Sequence, residues 1–202
     1  MTLDRPPSAL PGVRYGAIAR FGDLRGSFRE LWREDTFGSL APELAGAPPG
    51  VAPRFVQANL STSAPGVLRG LHLHQRQFDH WVVATGRAFV ALVDVRPMLA
   101  GGDSPAVETR QLGEDEWVDI PTGVAHGFLA LEPLELVYFV TNLYDGSDEL
   151  GFAWDDEAAA VPWPEVVGTS DRRPILSERD RSNPTLRTLV ERLRSEPNGL
   201  TS

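Results

Sequence analysis

The sequence contains no cysteine and no lysine. The first absence excludes a disulfide scaffold, a thiolate nucleophile and a thiolate metal site. The second excludes a Schiff-base lysine and an ammonium acid, and makes all 19 basic residues arginine, as GC-rich coding tends to do. No stretch of eighteen consecutive apolar residues is present, and the amino terminus lacks the charged-then-apolar pattern of a signal peptide. These absences predict a cytoplasmic chain with no membrane partner. Positive charge is in deficit: the net charge is −9, so nonspecific binding to nucleic acid is not expected. A few arginines can still build a local pocket for an anionic small ligand.

The chain has 202 residues, of which 42% are apolar, enough for one ordinary core with appendages. Between Arg54 and Val140, short β-type runs alternate with Gly, Pro and Asp turns. The spacing predicts eight strands, at 54–60, 66–74, 79–84, 87–95, 106–112, 116–120, 126–131 and 134–142, arranged as an antiparallel sandwich or barrel. Before them lie an arm at 1–12, a turn and strand at 23–30, and a surface loop at 41–53. After them, the Trp-, Asp- and Pro-rich segment 151–180 is expected to form a lid or flank over one side of the barrel. Leu186, Leu189, Val190 and Leu193 then mark a helix from Pro184 to about Glu196, with Asn183 as its cap. The expected organisation is one domain over 1–202: amino-terminal strands 1–53, core barrel 54–145, and carboxyl-terminal flank and helix 146–202.

All four histidines (His72, His74, His80 and His126) fall between positions 72 and 126. Histidine titrates near neutrality and is the commonest metal ligand, so this crowding points to a site. Period-two alternation in a strand turns His72, His74 and Arg76 to one face. Gly66-x5-His72-x-His74-x4-Asp79-x6-Gly86 resembles the first cupin signature, and Pro121-x-Gly123-x2-His126 the second. The resemblance implies an all-β cupin jelly-roll barrel with short flanking helices and a carboxyl-terminal helix. In metal-binding cupins the corresponding set is His72, His74, Asp79 and His126, a donor set suited to Fe, Mn, Ni or Zn. Many cupins hold no metal.

A narrower resemblance spans about residues 12–181. Its segments are Asp23-x-Arg25-Gly26-x-Phe28-x-Glu30, Phe55-Val56-Gln57-x-Asn59-x-Ser61-x-Ser63 and Gly66-Val67-Leu68-Arg69-Gly70-Leu71-His72. They continue with Ile120-Pro121-x-Gly123-x-Ala125-His126-Gly127-Phe128-Leu129, Val137-Tyr138-x2-Thr141-x2-Tyr144, Trp154-Asp155-Asp156 with Pro162-Trp163-Pro164, and Pro174-Ile175-Leu176-Ser177-x2-Asp180. Together they resemble the dTDP-4-dehydrorhamnose 3,5-epimerase family of nucleotide-sugar enzymes. That resemblance implies a cofactor-independent isomerase acting on a dTDP-4-keto-6-deoxyhexose in deoxysugar biosynthesis, working as a homodimer in which an amino-terminal strand crosses to the neighbour. It implies His72 as the base, Asp180 as its partner and Tyr138 as the group that returns a proton to the opposite face. Arg25, Glu30, Gln57, Asn59 and Arg69 match nucleotide-holding positions, and His126 and Tyr144 match positions close to phosphate, sugar or base.

One position departs from the family. The resemblance implies a Lys about ten residues after the base, near the developing enolate, and Asp79 stands there. Losing an oxyanion donor costs on the order of 3–4 kcal/mol, and a carboxylate there repels the enolate. Arg76 or His80 is the alternative donor if the shortened loop shifts the register. Two competing functions follow from Asp79: a metal-dependent cupin oxygenase or isomerase using His72, His74, Asp79 and His126, or a nucleotide-sugar binder with impaired catalysis. His74 is otherwise expected to be a packed or solvent-facing residue, His80 a rim residue, and Glu114-Asp115-Glu116 a solvated turn.

Overall fold

In the strand Arg87–Asp94 the apolar run Phe89–Val93 is continuous because both faces of that strand are covered. Ala88, Val90 and Leu92 point into the space between two sheets, while Ala91 and Val93 pack under helices. The same alternation builds the rest of the barrel. The computed structural model describes residues 2–4, 6–37, 42–46, 53–144, 146–166 and 172–195. In chain order the strands are β1 (Thr2–Asp4), β2 (Arg14–Ile18), β3 (Arg20–Asp23), β4 (Gly26–Arg29), β5 (Gln57–Ser63), β6 (Leu68–Leu73) and β7 (Asp79–Thr85). They continue with β8 (Arg87–Asp94), β9 (Ala106–Gly113), β10 (Glu116–Ile120), β11 (Val124–Ala130), β12 (Leu134–Val140) and β13 (Leu150–Gly151). The helices are α1 (Glu34–Phe37), α2 (Arg96–Leu99), α3 (Glu178–Ser182) and α4 (Leu186–Ser195).

Two antiparallel sheets face each other. One has the order β1-β2-β10-β7-β12-β5, the other β13-β6-β11-β8-β9, and β3 with β4 forms a separate hairpin. Trp81, Val83, Val90, Leu92, Val118, Phe128 and Leu136 fill the space between the sheets at one end. On the outer face of the five-stranded sheet, Leu71, Leu73, Ala91, Val93 and Ala125 pack against Leu186, Leu189, Val190 and Leu193 of α4. This is the amphipathic stripe read from the sequence, and it seals the barrel's back.

Several elements differ from the sequence expectation. The first core strand runs 57–63 rather than 54–60, because its ladder partner β12 pairs through Ser61, Thr62 and Ser63 irrespective of their polarity. Helix α4 starts at Leu186, where Thr185 Oγ1 accepts the Thr188 N–H; Asn183 and Pro184 precede it and do not cap it. Its expected end at Glu196 lies outside the described residues. Of the 41–53 loop, Pro42–Ala45 is a short 3-10 turn, and 41 and 47–52 are not described, nor are 167–171 of the flank. The arm at 1–12 contributes β1, which pairs with β2 through Leu3 opposite Ala17. The turn at 114–116 is anchored rather than solvated: Asp115 binds Arg20 at 2.7 Å and Arg29 at 2.8 Å, tying the β3–β4 hairpin to the barrel.

Candidate active site

A cavity of about 420 Å³ opens between the two sheets. His72, His74, Gln77, Asp79, His126, Tyr138, Tyr144, Gln57, Asn59, Arg69 and Glu149 are among the residues that line it.

Strict alternation along β6 would send Arg69 and His72 to opposite faces. The pairing with β11 shows why both reach the cavity: His72 lies opposite His126 and Arg69 opposite Phe128, so β6 carries one extra residue. This bulge falls at Gly70, whose φ is +124°, and a Cβ there would lie 2.6 Å from the Gly127 Cα. Two glycines facing each other across the ladder thus re-aim the strand. After Leu73 the strand ends. Arg76 does not follow His72 and His74 inward; its guanidinium lies 2.9 Å from Ser147 Oγ, outside the cavity lining.

His72 Nε2 lies 2.8 Å from Asp180 Oδ1. Asp180 is held in turn by the start of α3, where Ser177 Oγ accepts its backbone N–H at 3.0 Å. The Ser-x-x-Asp spacing is therefore a helix cap that presents a carboxylate. Burial would raise the Asp180 pKa, but the His72 hydrogen bond and charge, with Ser177 and Arg179, outweigh it and hold the carboxyl below its ordinary range. An ionised Asp180 accepts a hydrogen bond from the Nε2–H and leaves Nδ1 as the basic atom of the ring.

Tyr138 stands on β12, in the opposite sheet. Burial, then the charge of Asp79, raises the pKa of its phenol, so it carries its proton at neutral pH. Gln57 and Asn59 share a hydrogen bond of 2.9 Å on β5, and Gln57 Oε1 also accepts the Tyr144 N–H. Arg69 donates to Ser63 Oγ at 3.1 Å and Thr62 O at 3.3 Å, which holds its guanidinium at the cavity wall. His126 is 4% exposed; burial, opposed by Asp79, lowers its pKa to about 4.

Asp79 points into the cavity and accepts from Gln77 Nε2 at 2.7 Å and Trp81 Nε1 at 3.1 Å. Neither alternative donor reaches it from the other side of the strand. His80 is a buried residue rather than a rim residue, with Nδ1 2.6 Å from Asp119 and its ring near Trp117. His74, expected to be packed or solvent-facing, lines the cavity. Glu149 and Gln77 were not anticipated. Glu149 follows a loop without a recognisable pattern, while Gln77 sits two residues before Asp79, which is the one signal that points to it.

Two expected nucleotide-holding residues are not in the cavity of their own chain. Arg25 lies at the tip of the β3–β4 hairpin, 89% exposed in its side chain and paired with Asp23. Glu30 follows the same hairpin and lies 3.6 Å from Arg33. The hairpin projects from the barrel, which explains the separation from the other nine predicted site residues.

The profile of a family described as dTDP-4-dehydrorhamnose 3,5-epimerase matches residues 7–188. The dTDP-4-dehydrorhamnose 3,5-epimerase of Escherichia coli strain K12 is 34% identical over 174 residues, covering 84% of this chain and 87% of that one. Among solved structures, the dTDP-4-dehydrorhamnose 3,5-epimerase of Bacillus anthracis with TDP and PPi bound superposes with a TM-score of 0.71 at 31% identity, covering 89% of this chain and 97% of that one. ChmJ, a 3'-monoepimerase of Streptomyces bikiniensis in complex with dTDP-quinovose, gives 0.73 at 26% identity, with 93% and 89% covered. With a profile match over residues 7–188, a relative 34% identical over most of both chains and a shared fold, the chain belongs to the dTDP-4-dehydrorhamnose 3,5-epimerase family.

Proposed function

We propose that this protein epimerises a dTDP-4-keto-6-deoxyhexose by removing and returning a proton beside the C4 ketone, as a step of deoxysugar biosynthesis. The observation that carries the reading is the placement of two proton-transfer groups on opposite walls. His72 with Asp180 stands on the five-stranded sheet, and Tyr138 stands on the six-stranded one.

Inversion at carbon needs a base on one face and an acid on the other. His72 Nδ1 takes the C–H proton, the bonding pair moves into the enolate, and Asp180 stabilises the imidazolium that results. The protonated Tyr138 phenol then delivers a proton from the far side. The process leaves the substrate's oxidation state unchanged. Gln57, Asn59, Arg69, His126 and Tyr144 line the same cavity and supply hydrogen bonds and one permanent positive charge for the dTDP moiety.

The reading extends to a homodimer. Phe21, Leu24 and Phe28 on the β3–β4 hairpin are exposed, Phe28 at 66%, and so are Val56 and Leu60 beside the sheet edge. Arg25 and Glu30 travel with that hairpin. Docking it onto a second copy covers the apolar residues and carries Arg25 to the neighbour's cavity. The cytoplasm is the expected compartment for a nucleotide-sugar enzyme, and no helix among the described residues is long and apolar enough to cross a membrane.

Solvent deuterium exchange tests the function. Incubation with a dTDP-4-keto-6-deoxyhexose in D2O is expected to place deuterium at C3, C5 or both, and His72→Ala is expected to abolish it with dTDP affinity retained. Binding without exchange by the unaltered protein would leave a nucleotide-sugar binder, and retained turnover in the variant would remove His72 from the base role.

A further inference from the structure

We propose that Glu149 is a specificity-determining residue of this cavity: its carboxylate accepts the C3 hydroxyl of the 4-keto sugar and so presents the C3 proton, rather than the C5 proton, to His72. The inference deepens the epimerase reading and rests on it.

The placement of Glu149 follows from the edge of the five-stranded sheet. There β13 pairs with β6 through Leu150 opposite Leu73 and Gly151 opposite His72. Leu150 and Leu73 share the face that packs under α4, so alternation turns the residues on either side of Leu150 toward the cavity. One of them is Gly151, which has no side chain to fill the space beside His72. The other is Glu149, which lines the cavity. The base and a carboxylate thereby stand side by side on one wall.

Two groups hold that carboxylate in place. Arg179 Nη1 lies 2.6 Å from Glu149 Oε2, and Arg179 Nη2 donates to the Glu149 backbone carbonyl at 2.6 Å. Arg179 precedes Asp180 on α3, so one short helix steadies both the base and its neighbour. The Tyr144 phenol also donates to Glu149. Burial raises the pKa of the Glu149 carboxyl, but Arg179, the charge of His72 and the Tyr144 hydrogen bond outweigh it and hold the carboxyl below its ordinary range. At neutral pH Glu149 is an anion, an acceptor whose lone pairs Arg179 and Tyr144 only partly occupy.

Among the described residues, Asp79 is the other carboxylate in the cavity lining, and it is enclosed. An Asp79 oxygen lies within 4.8 Å of ring nitrogens of His74 and His126. Gln77 Nε2 and Trp81 Nε1 each donate to one of its oxygens, and its side chain is 4% exposed against 24% for Glu149. A ligand hydroxyl entering the cavity therefore meets Glu149 as its open anionic acceptor.

The chemistry of the sugar turns this acceptor into a choice between carbons. Both carbons beside the C4 ketone carry a removable proton. C3 also carries a hydroxyl, whereas C5 carries the ring oxygen and a methyl group, neither of which donates a hydrogen bond. A hydroxyl held by Glu149 fixes the C–H of the same carbon beside His72, and Glu149 has no such hold on C5. Hydrogen bonds to a charged group are stronger than neutral ones, so the anion discriminates where an amide would do so weakly.

The test measures solvent deuterium incorporation at C3 and C5 separately by NMR, with the whole protein and a dTDP-4-keto-6-deoxyhexose in D2O. The unaltered protein is expected to exchange C3 faster than C5, and the reverse order overturns the proposal. Glu149→Gln is expected to lower C3 exchange at least about tenfold more than C5 exchange. A role confined to steadying Arg179 and Asp180 slows both carbons alike, because both use the same base. Glu149→Asp keeps the charge but withdraws it by one methylene, and is expected to shift the ratio in the same direction. Thermal unfolding reports whether each variant is folded.

A substrate analogue with hydrogen in place of the C3 hydroxyl gives a second readout, which carries the test if C5 does not exchange at all. Losses in C3 exchange from that analogue and from Glu149→Gln should not add, since each removes one end of the same hydrogen bond. Additive losses, or coupling instead to an analogue lacking the C2 hydroxyl, overturn the assignment. No exchange at either carbon by the unaltered protein sinks the epimerase reading itself. Exchange with an unmoved C3-to-C5 ratio in folded Glu149→Gln sinks the role of Glu149 alone.

Discussion

Asp180 lies 108 residues from His72 in sequence and 2.8 Å from it in space. Replacing the carboxylate by an amide removes the charge that stabilises the imidazolium and offers a donor that can reverse the ring's tautomer. Asp180→Asn is therefore expected to slow deuterium exchange by about 10²-fold or more, with dTDP affinity within a few-fold of the unaltered protein. Exchange kinetics with calorimetric dTDP binding check both halves.

The same pair sets an acid limit on stability. The Asp180 pKa lies below its ordinary 3.8 in the folded protein. A carboxyl depressed on folding stabilises fully above its unfolded pKa, and that contribution disappears as pH falls through the folded value. Melting temperatures measured from pH 7 down to about 2 should show the gap between the protein and Asp180→Asn narrowing below about pH 4. A gap that widens on acidification would contradict the depressed pKa.

Gly70 is the hinge of the β6 bulge. Gly70→Ala introduces a Cβ against the Gly127 Cα at a positive φ that alanine resists. The expected loss is about 1–3 kcal/mol in denaturant unfolding. Because the bulge is what turns Arg69 inward, weaker dTDP binding should accompany it. Lost stability with unchanged dTDP affinity would separate the bulge from the site.

Subunit complementation tests the dimer. If Arg25 serves the neighbour's cavity, His72→Ala and Arg25→Ala chains place their defects in different sites of a mixed dimer. Each mixed dimer then retains one intact site, and random mixing restores about a quarter of the sites. Exchange activity should reappear on mixing two inactive preparations. If Arg25 acts only on its own chain, or not at all in binding, mixing leaves activity at the average of the two.

Leu189 lies at the centre of the α4 contact and is 1% exposed. Leu189→Ala should cost about 2–5 kcal/mol in stability, read by denaturant midpoint. Below its melting range the variant should keep its exchange rate, since α4 packs behind the sheet and contributes nothing to the cavity lining.

Most core strand positions and the α4 stripe were legible because alternation and helical periodicity are local records of which face is buried. The motifs around His72 and at Ser177-x2-Asp180 were legible as short, specific patterns, and the structure showed that the second is a helix cap. Three features were not. The position of His80 under Asp119 depends on what covers the outer face of β7, which its own strand does not encode. The convergence of His74, Asp79 and His126 depends on β6, β7 and β11 meeting from two sheets. The distance of Arg25 from its own cavity depends on the direction in which Asp115 anchors the hairpin.

The amino-acid sequence alone determined the β-rich class, the absence of lysine and thiol chemistry, and the residue types available to a site. Only the tertiary structure decided which of those residues share a cavity, because a bulge at one glycine and a cap over a hundred residues away are what bring Arg69, His72 and Asp180 together. Local patterns record burial, whereas long-range contacts set the direction in which a buried group points.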